Sequence, residues 1–126
     1  MFDDCKVFNG DISNFVTNKV ESFNAMFRRS PSFNRPLTNF KLHRPKKKKI
    51  DLNYMFQGHS IAEGIESQFN QDVSHFGNFE FTATDMFEYA VNFNQTWCTA
   101  SWEGKLSRSD LEYSKASIKC CVSGKH

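Results

Sequence analysis

The sequence lacks any apolar run long enough to cross a membrane. A membrane-spanning helix needs about 18 or more consecutive apolar residues, and no segment of this 126-residue chain approaches that length. The residues from Met1 to Asp4 also lack the charged and then apolar layout of a secretory signal peptide. The sequence therefore predicts no membrane insertion and shows no signal for export.

Cysteine is scarce and is not arranged as a zinc site. The four cysteines show none of the paired two-residue spacings of zinc motifs, and they are too few for a disulfide-dense scaffold. Histidines without a second histidine three or four residues away give no local metal site either. The residues in question are Cys5, Cys98, Cys120 and Cys121, whose redox state stays open, and His43, His75 and His126. We therefore expect no metal and no other cofactor.

Phenylalanine, in contrast, is abundant and marks a repeat. The chain has 14 phenylalanines, and each of its four methionines is followed by one. A second pair, Phe-Asn, alternates with Met-Phe, so the sequence divides into four tandem units. The units start at Met1, Met26, Met55 and Met86, and their Phe-Asn pairs start at Phe8, Phe33, Phe69 and Phe93. We assign residues 1–100 to this repeat and residues 101–126 to a C-terminal cap or loose tail.

Two of the units carry extra residues. The step from the Met-Phe phenylalanine to the Phe-Asn phenylalanine is six residues in units one, two and four, but 13 in unit three. Unit three therefore has an insertion of seven residues. Unit two has about four extra residues beside the lysine run Lys46–Lys49, which we interpret as a loop whose role stays open.

Aligned on Phe-Asn, the units keep the physical character of each position. Three such columns are Ile12, Leu37, Val73 and Trp97; Phe15, Phe40, Phe76 and Ala100; and the mostly small Cys5, Ser30, His59 and Ala90. A unit of about 25 residues buries little alone, whereas stacked units share a continuous core. The asparagines after each phenylalanine would then form a buried amide column.

The predicted fold is therefore an α/β repeat. It is a short solenoid of about four coils, with short parallel strands near each Phe-Asn pair. The segments that lead into Met-Phe, such as Val20–Phe27 and Thr84–Tyr89, are long enough for about two turns of helix.

The first unit resembles the repeat of a known family. The pattern Met-Phe-x-x-Cys-x-x-Phe-Asn-Gly-Asp-Ile-Ser-x-Phe from Met1 to Phe15 is similar to that of the BspA-like leucine-rich-repeat surface proteins, whose units have roughly 26 residues. The resemblance covers about residues 1–100. It implies a leucine-rich-repeat-like solenoid for surface attachment or protein binding without catalysis, and a location at the cell surface or outside the cell.

Charge is segregated along the chain. Nine Lys and Arg residues and no acids lie between Glu21 and Asp51, whereas residues 50–104 hold eight acids and no Lys or Arg. Basic side chains next to phenylalanines could contact nucleic acid. However, Phe27, Phe33 and Phe40 fall in core columns, so nucleic acid is not the favoured partner.

A catalytic pair can be sought in Cys5 and His59, because a cysteine nucleophile needs a nearby imidazole base. In a stack these two residues lie two units apart, with Ser30 between them, and no column of carboxylates accompanies them. We therefore predict no catalytic residue and no enzyme. Packing of small side chains accounts for this column.

These observations favour a non-catalytic repeat module for protein binding or cell-surface attachment, and the chain could be a fragment of a longer surface protein. Its partner would be a protein or another cell-surface macromolecule. The alternative is an intracellular scaffold or a nucleic-acid-associated protein that uses the basic insertion Arg44–Lys49. The sequence identifies neither the ligand nor the oligomeric state.

Overall fold

The computed structural model describes residues 2–17, 20, 22–40, 49–78 and 80–97, and after these the positions 102, 105, 106, 110, 114, 117 and 118. The strands in this part of the chain have two residues each and pair in parallel. The pairs are β1 (Ile50–Asp51) with β2 (Phe81–Thr82), and β3 (Thr96–Trp97) with β4 (Ser117–Ile118). Two short 3-10 helices, η1 (Ile61–Glu63) and η2 (Ser74–Asn78), also lie here.

The phenylalanines of the repeat lie in two files, with one ring from each unit in each file. Within a unit the two rings stack with their centroids 3.9 to 4.1 Å apart. Between units, successive rings of a file are 5.7 to 5.9 Å apart and within 9° of parallel. One file is Phe2, Phe27, Phe56 and Phe87, and the other is Phe8, Phe33, Phe69 and Phe93. Stacked pairs of this kind contribute about 0.5–1.5 kcal/mol each beyond the burial of their area.

Around the Met-Phe pairs, backbone hydrogen bonds join neighbouring units and run in one direction. The N–H of each Met-Phe phenylalanine donates to the carbonyl of the methionine in the following unit, at 2.8 to 2.9 Å. The pairs are Phe2 with Met26, Phe27 with Met55, and Phe56 with Met86. Around Met-Phe, each unit thus turns carbonyls towards the unit before it and N–H groups towards the unit after it.

The apolar columns pack behind these rings. Ile12, Leu37 and Val73 are buried, as are Phe40 and Phe76. The first member of the second column differs, because Phe15 is 36 % exposed. Burial of such side chains stabilises the fold by about 25 cal/mol for each Å² removed from water. Ala100, which completes the second predicted column, lies outside the described residues.

The predicted asparagine column is present, but it lies at the surface. The Oδ1 atoms of Asn9, Asn34 and Asn70 each accept the backbone N–H of the next asparagine in the column, at 2.9 Å. Asn34 is half-buried and the other members are exposed. The expectation of a buried column was therefore wrong. Each preceding phenylalanine faces the interior, so the next side chain in an extended backbone points outwards.

Turns replace the short helices expected before and through Met-Phe. Residues 24–29 and 84–89 are turns, and several non-glycine residues in these segments have positive φ. The like-placed Ala25, Tyr54 and Asp85 have φ of 50 to 60°, and Asp4, Arg29 and Tyr89 have φ of 54 to 63°. A left-handed residue interrupts a right-handed helix. The backbone N–H of Ala25 accordingly bonds to Asn53 of the next unit instead of continuing a helix.

The strands also lie elsewhere than expected in the middle of the chain. We placed them near the Phe-Asn pairs, yet β1 and β2 lie before Met-Phe pairs. Ser22, which lies before the Met-Phe pair at Met26, likewise forms a parallel bridge to Asp51 of β1. Only β3 directly follows a Phe-Asn pair among the strands described. The segments before Met-Phe are extended because each bonds to its counterpart in the next unit.

Residues from the predicted C-terminal segment cover the end of unit four. The side chain of Trp102 is fully buried, lies 4.7 Å from the Phe81 ring, and donates from Nε1 to the carbonyl of Ser74 at 3.1 Å. The fully buried Asp110 accepts the backbone N–H of Phe87 through Oδ1 at 2.7 Å. For Phe87, that carboxylate oxygen accepts the backbone hydrogen bond that a methionine carbonyl accepts from Phe2, Phe27 and Phe56.

Candidate functional site

The seven extra residues of unit three form the most distinctive surface in the described part of the chain. They are residues 60–66, between His59 and Ser67, where units one, two and four have no counterpart. The chain is anchored directly after them, since Gln68 N–H donates to the Pro31 carbonyl and Asn92 Nδ2 donates to the Ser67 carbonyl, both at 2.9 Å. The insertion thus projects from a fixed base.

Local hydrogen bonds give the insertion a defined shape. The carboxylate of Glu63 accepts the backbone N–H of Ser60 at 3.0 Å and the Ser60 hydroxyl at 3.2 Å, which ties the start of η1 to its last residue. Gly64 follows with φ of 67°, in the left-handed conformation that ends helical turns, and its N–H donates to the Ile61 carbonyl at 3.1 Å. The sequence Ser60 to Gly64 therefore encodes a closed turn.

Two isoleucines on this insertion face the solvent. Ile61 is 63 % exposed and Ile65 is 38 % exposed, although both are strongly apolar. They line a cavity of about 270 Å³ together with Val91 and the buried His59. Neighbouring exposed apolar side chains beside a cavity are typical of interaction surfaces. We call this set, Ile61, Ile65 and Val91, the insertion surface.

Two glutamates lie in the insertion, and one of them is paired with an arginine. Glu63 and Glu66 lie in the insertion, and Arg29 Nη2 is 3.6 Å from Glu63 Oε2 in an exposed ion pair. The hydrogen bond from the Ser60 backbone N–H holds the pKa of Glu63 below its ordinary value, and the Ser60 hydroxyl and the charge of Arg29 act in the same direction. The carboxylate is therefore ionised at neutral pH.

The small-residue column makes polar contacts between units that the sequence alone did not predict. Ser30 Oγ donates to the carbonyl of Phe2 and accepts the N–H of Cys5 at 3.3 Å, so it joins unit two to unit one. The Nε2 atom of His59 lies 4.0 Å from Asp4 Oδ1. Asp4 precedes the small-residue column by one position, and its side chain reaches across to His59. It is a single carboxylate, because the like-placed residues of the other units are Arg29, Gly58 and Tyr89. The buried Ser30 is engaged with backbone groups.

The basic residues considered for nucleic acid are only partly described. Phe27, Phe33 and Phe40 are buried, as their core columns predicted. In the insertion Arg44–Lys49, the positions 44–48 lie outside the described residues. Lys49 is exposed and directly precedes the buried Ile50 of β1.

Neither a membrane span nor a metal cluster is found among the described residues. No helix in this part of the protein combines the length and the apolar character needed to cross a bilayer. Nor does this part contain a group of three or more His, Cys, Asp or Glu side chains placed to hold a metal ion. Cys5, half-buried, is a free thiol.

Comparison with known proteins gives one match. A family model described as "Mycoplasma protein of unknown function, DUF285" matches residues 1–115. No curated protein and no solved structure matches the chain. The match spans all four units and does not name the BspA-like leucine-rich-repeat proteins, so that resemblance stays a prediction. The chain belongs to the DUF285 family of Mycoplasma proteins of unknown function.

Proposed function

We propose that this protein is a short leucine-rich-repeat-like solenoid that serves as a non-catalytic module for protein binding or cell-surface attachment. The proposal rests chiefly on one observation, the exposure of Ile61 and Ile65 on an insertion whose shape is fixed by its own hydrogen bonds. Insertions into repeat units project as loops from one face of the stack, and that face is often the binding face.

The regular contacts between units support the solenoid part of the proposal. Rings of both phenylalanine files repeat at 5.7 to 5.9 Å, and the parallel backbone bonds repeat with them. In a solenoid each unit contacts its neighbours, so side chains outside the repeated columns are free to vary. Location at a cell surface belongs to the same proposal and follows from the sequence resemblance.

The chemistry of the insertion surface specifies the kind of partner. Ile61, Ile65 and Val91 offer apolar contact beside a cavity of about 270 Å³, and Glu63 and Glu66 add negative charge at its edge. An apolar side chain that enters the cavity would supply affinity, and flanking Lys or Arg residues would supply orientation and speed of association. We infer a protein segment with an apolar anchor between basic residues.

Selection from a peptide library tests this proposal without requiring the sequence of the partner. A displayed peptide library is selected on the folded full chain and counter-selected on the double variant Ile61→Ser, Ile65→Ser. We expect enriched peptides with an aliphatic or aromatic residue between basic residues, and loss of their binding to the double variant by at least tenfold.

The variant Val7→Ser is a matched control, because Val7 is also apolar and exposed but belongs to unit one and does not line the cavity beside the insertion. It should keep the wild-type affinity for the selected peptides. Peptides that bind the double variant as well as the wild type would contradict the proposal. Binding of an RNA or DNA oligonucleotide that weakens steeply between 50 and 200 mM salt would instead favour the alternative role of Arg44–Lys49.

A further inference from the structure

The small-residue column contains one large side chain. Its members in units one, two and four are Cys5, Ser30 and Ala90, whereas unit three places His59 there. His59 is nevertheless buried, with 6 % of its surface exposed. The insertion begins at the next residue, so this buried imidazole lies at the junction between the column and the insertion.

The imidazole of His59 lacks a hydrogen bond within the described part of the chain. Its Nε2 atom is 4.0 Å from Asp4 Oδ1, whereas N–H···O hydrogen bonds have lengths of up to about 3.2 Å. Ser30, at the same position of unit two, has backbone partners for its hydroxyl. A buried polar group without a partner is destabilising, so a ligand that supplies the partner gains affinity.

The cavity beside this imidazole is apolar and large enough for an aromatic ring. Its volume is about 270 Å³, and an apolar cavity of about 150 Å³ already holds benzene. Gly64 leaves open space at its wall, since no atom lies within 4 Å of the place where a side chain would begin. The lining residues are His59, Ile61, Gly64, Ile65, Glu66 and Val91.

The charges near the cavity disfavour an anionic ligand. Glu66 lines the cavity, and the carboxylate of Asp4 lies 4.0 Å from the imidazole, so a carboxylate or phosphate would face like charge. A purely apolar ligand would cover the imidazole and leave its nitrogen atoms unpaired. A neutral ligand with an aromatic body and one hydroxyl avoids both penalties.

We propose that this cavity binds a tyrosine side chain of the partner protein, and that His59 selects tyrosine over phenylalanine. The inference rests on the proposed function, because it names the anchor residue of that partner. The tyrosine ring would pack against Ile61, Ile65 and Val91, and its hydroxyl would pair with the imidazole. A phenol hydroxyl both donates and accepts, so it can pair with either ring nitrogen in either tautomer.

The side-chain analogues p-cresol, for tyrosine, and toluene, for phenylalanine, provide the probes. Each is titrated to millimolar concentration into the isotopically labelled full chain. We expect p-cresol to give saturable shifts of the methyl resonances of Ile61, Ile65 and Val91 and to bind at least threefold more tightly than toluene. A cavity without the hydrogen bond would show the reverse order, because the hydroxyl of p-cresol would leave water without compensation.

Variants of His59 test its part in this selection. His59→Leu removes the polar atoms at similar size and should reverse the preference, whereas His59→Gln keeps a donor and an acceptor and should retain it. Ile61→Ser should weaken both probes, because it removes part of the apolar wall. His75→Leu is the matched control, since His75 does not line the cavity, and it should change neither affinity. The comparison of the two probes in the wild type needs no variant to fold.

The outcomes separate this inference from the proposed function. Equal or tighter binding of toluene to the wild type, a preference retained in His59→Leu, or no shifts at millimolar p-cresol would each overturn the inference. The proposed function would still stand if selected peptides depended on Ile61 and Ile65. Saturable binding of p-cresol without any selected peptide would overturn the proposed function, and with it the assignment of the ligand to a protein side chain.

Discussion

Removal of the carboxylate that closes unit four should destabilise the protein far more than removal of an exposed carboxylate. Asp110 is fully buried, and its Oδ1 accepts the Phe87 N–H at 2.7 Å. In Asp110→Ala that donor loses its acceptor in a buried place, which costs about 1–3 kcal/mol, and the bond to a charged group adds to the loss. We expect the free energy of unfolding to fall by about 2–3 kcal/mol.

The conservative variant at the same position isolates the hydrogen bond. Asp110→Asn keeps an oxygen that can accept from Phe87, so we expect it to lose only about 1 kcal/mol. Asp3, which forms an exposed ion pair with Arg28 at 2.7 Å, shows what the loss of a carboxylate at the surface costs. Asp3→Ala should lower the free energy of unfolding by under about 1 kcal/mol. Burial separates Asp110→Ala from Asp3→Ala, and the retained acceptor oxygen separates Asp110→Asn from Asp110→Ala.

Thermal unfolding followed by circular dichroism measures these differences. For a chain of this size about 1 kcal/mol corresponds to roughly 3–6 °C in melting temperature, so Asp110→Ala should melt about 10 °C below the wild type. Hydrogen exchange at the Phe87 amide provides the local measurement and should accelerate in the same variant. An Asp110→Ala protein as stable as Asp3→Ala would refute this role of Asp110.

Three further predictions concern the column of asparagines, the turns and the insertion. Asn34→Leu removes the oxygen that accepts the N–H of Asn70 and should lower the free energy of unfolding by about 1 kcal/mol in chemical denaturation. Ala25→Gly relieves a left-handed backbone with φ of 55°, and after the entropy of glycine is subtracted it should raise stability by about 0.5–1 kcal/mol in the same assay. The pKa of Glu63 in the folded protein is below its ordinary value of 4.5, so its hydrogen bond to Ser60 stabilises the insertion fully at pH values above 4.5. As the pH falls through the lower folded pKa, the carboxylate is protonated and this stabilisation is lost. Hydrogen exchange at the Ser60 amide should therefore accelerate in that acidic range.

Matched variants check these three predictions. Asn14→Leu alters an exposed asparagine outside the column and should leave stability within about 0.5 kcal/mol of the wild type. Ala90→Gly introduces glycine at a buried position without positive φ and should destabilise. Glu63→Gln should remove the acid dependence of Ser60 exchange. Glu66→Gln should retain it, and a wild type insensitive to acid would contradict the bond.

The phenylalanine files were predictable from sequence because their signal is a spacing. Phe33 and Phe69 are 36 positions apart, yet the Phe-Asn pair marks them as equivalent, and their rings stack at 5.9 Å. The insertion in unit three was also predictable, since the same spacing is lengthened there. Two isoleucines four residues apart, Ile61 and Ile65, beside Glu63 and Glu66 were the available signal for an exposed apolar surface.

Other features depend on conformations that composition does not reveal. Tyr54 and Tyr89 adopt positive φ without being glycine, so the turns that replace the expected helices carry no sequence marker. The proximity of His59 to Asp4 arises from packing between distant units. The asparagine column was predicted in its membership but not in its exposure, because a repeated polar residue satisfies its neighbours equally well inside the protein or at its surface. The solenoid class itself stays a prediction.

The junction after His59 has a practical consequence for protein engineering. Seven residues added there leave the two rings of unit three 4.0 Å apart, the same as in unit two, which has no insertion between its two rings. Foreign loops grafted between His59 and Ser67 should therefore be accepted without disturbing the scaffold, provided that their ends meet the same anchors. The protein already contains a natural acceptor site for designed binding loops.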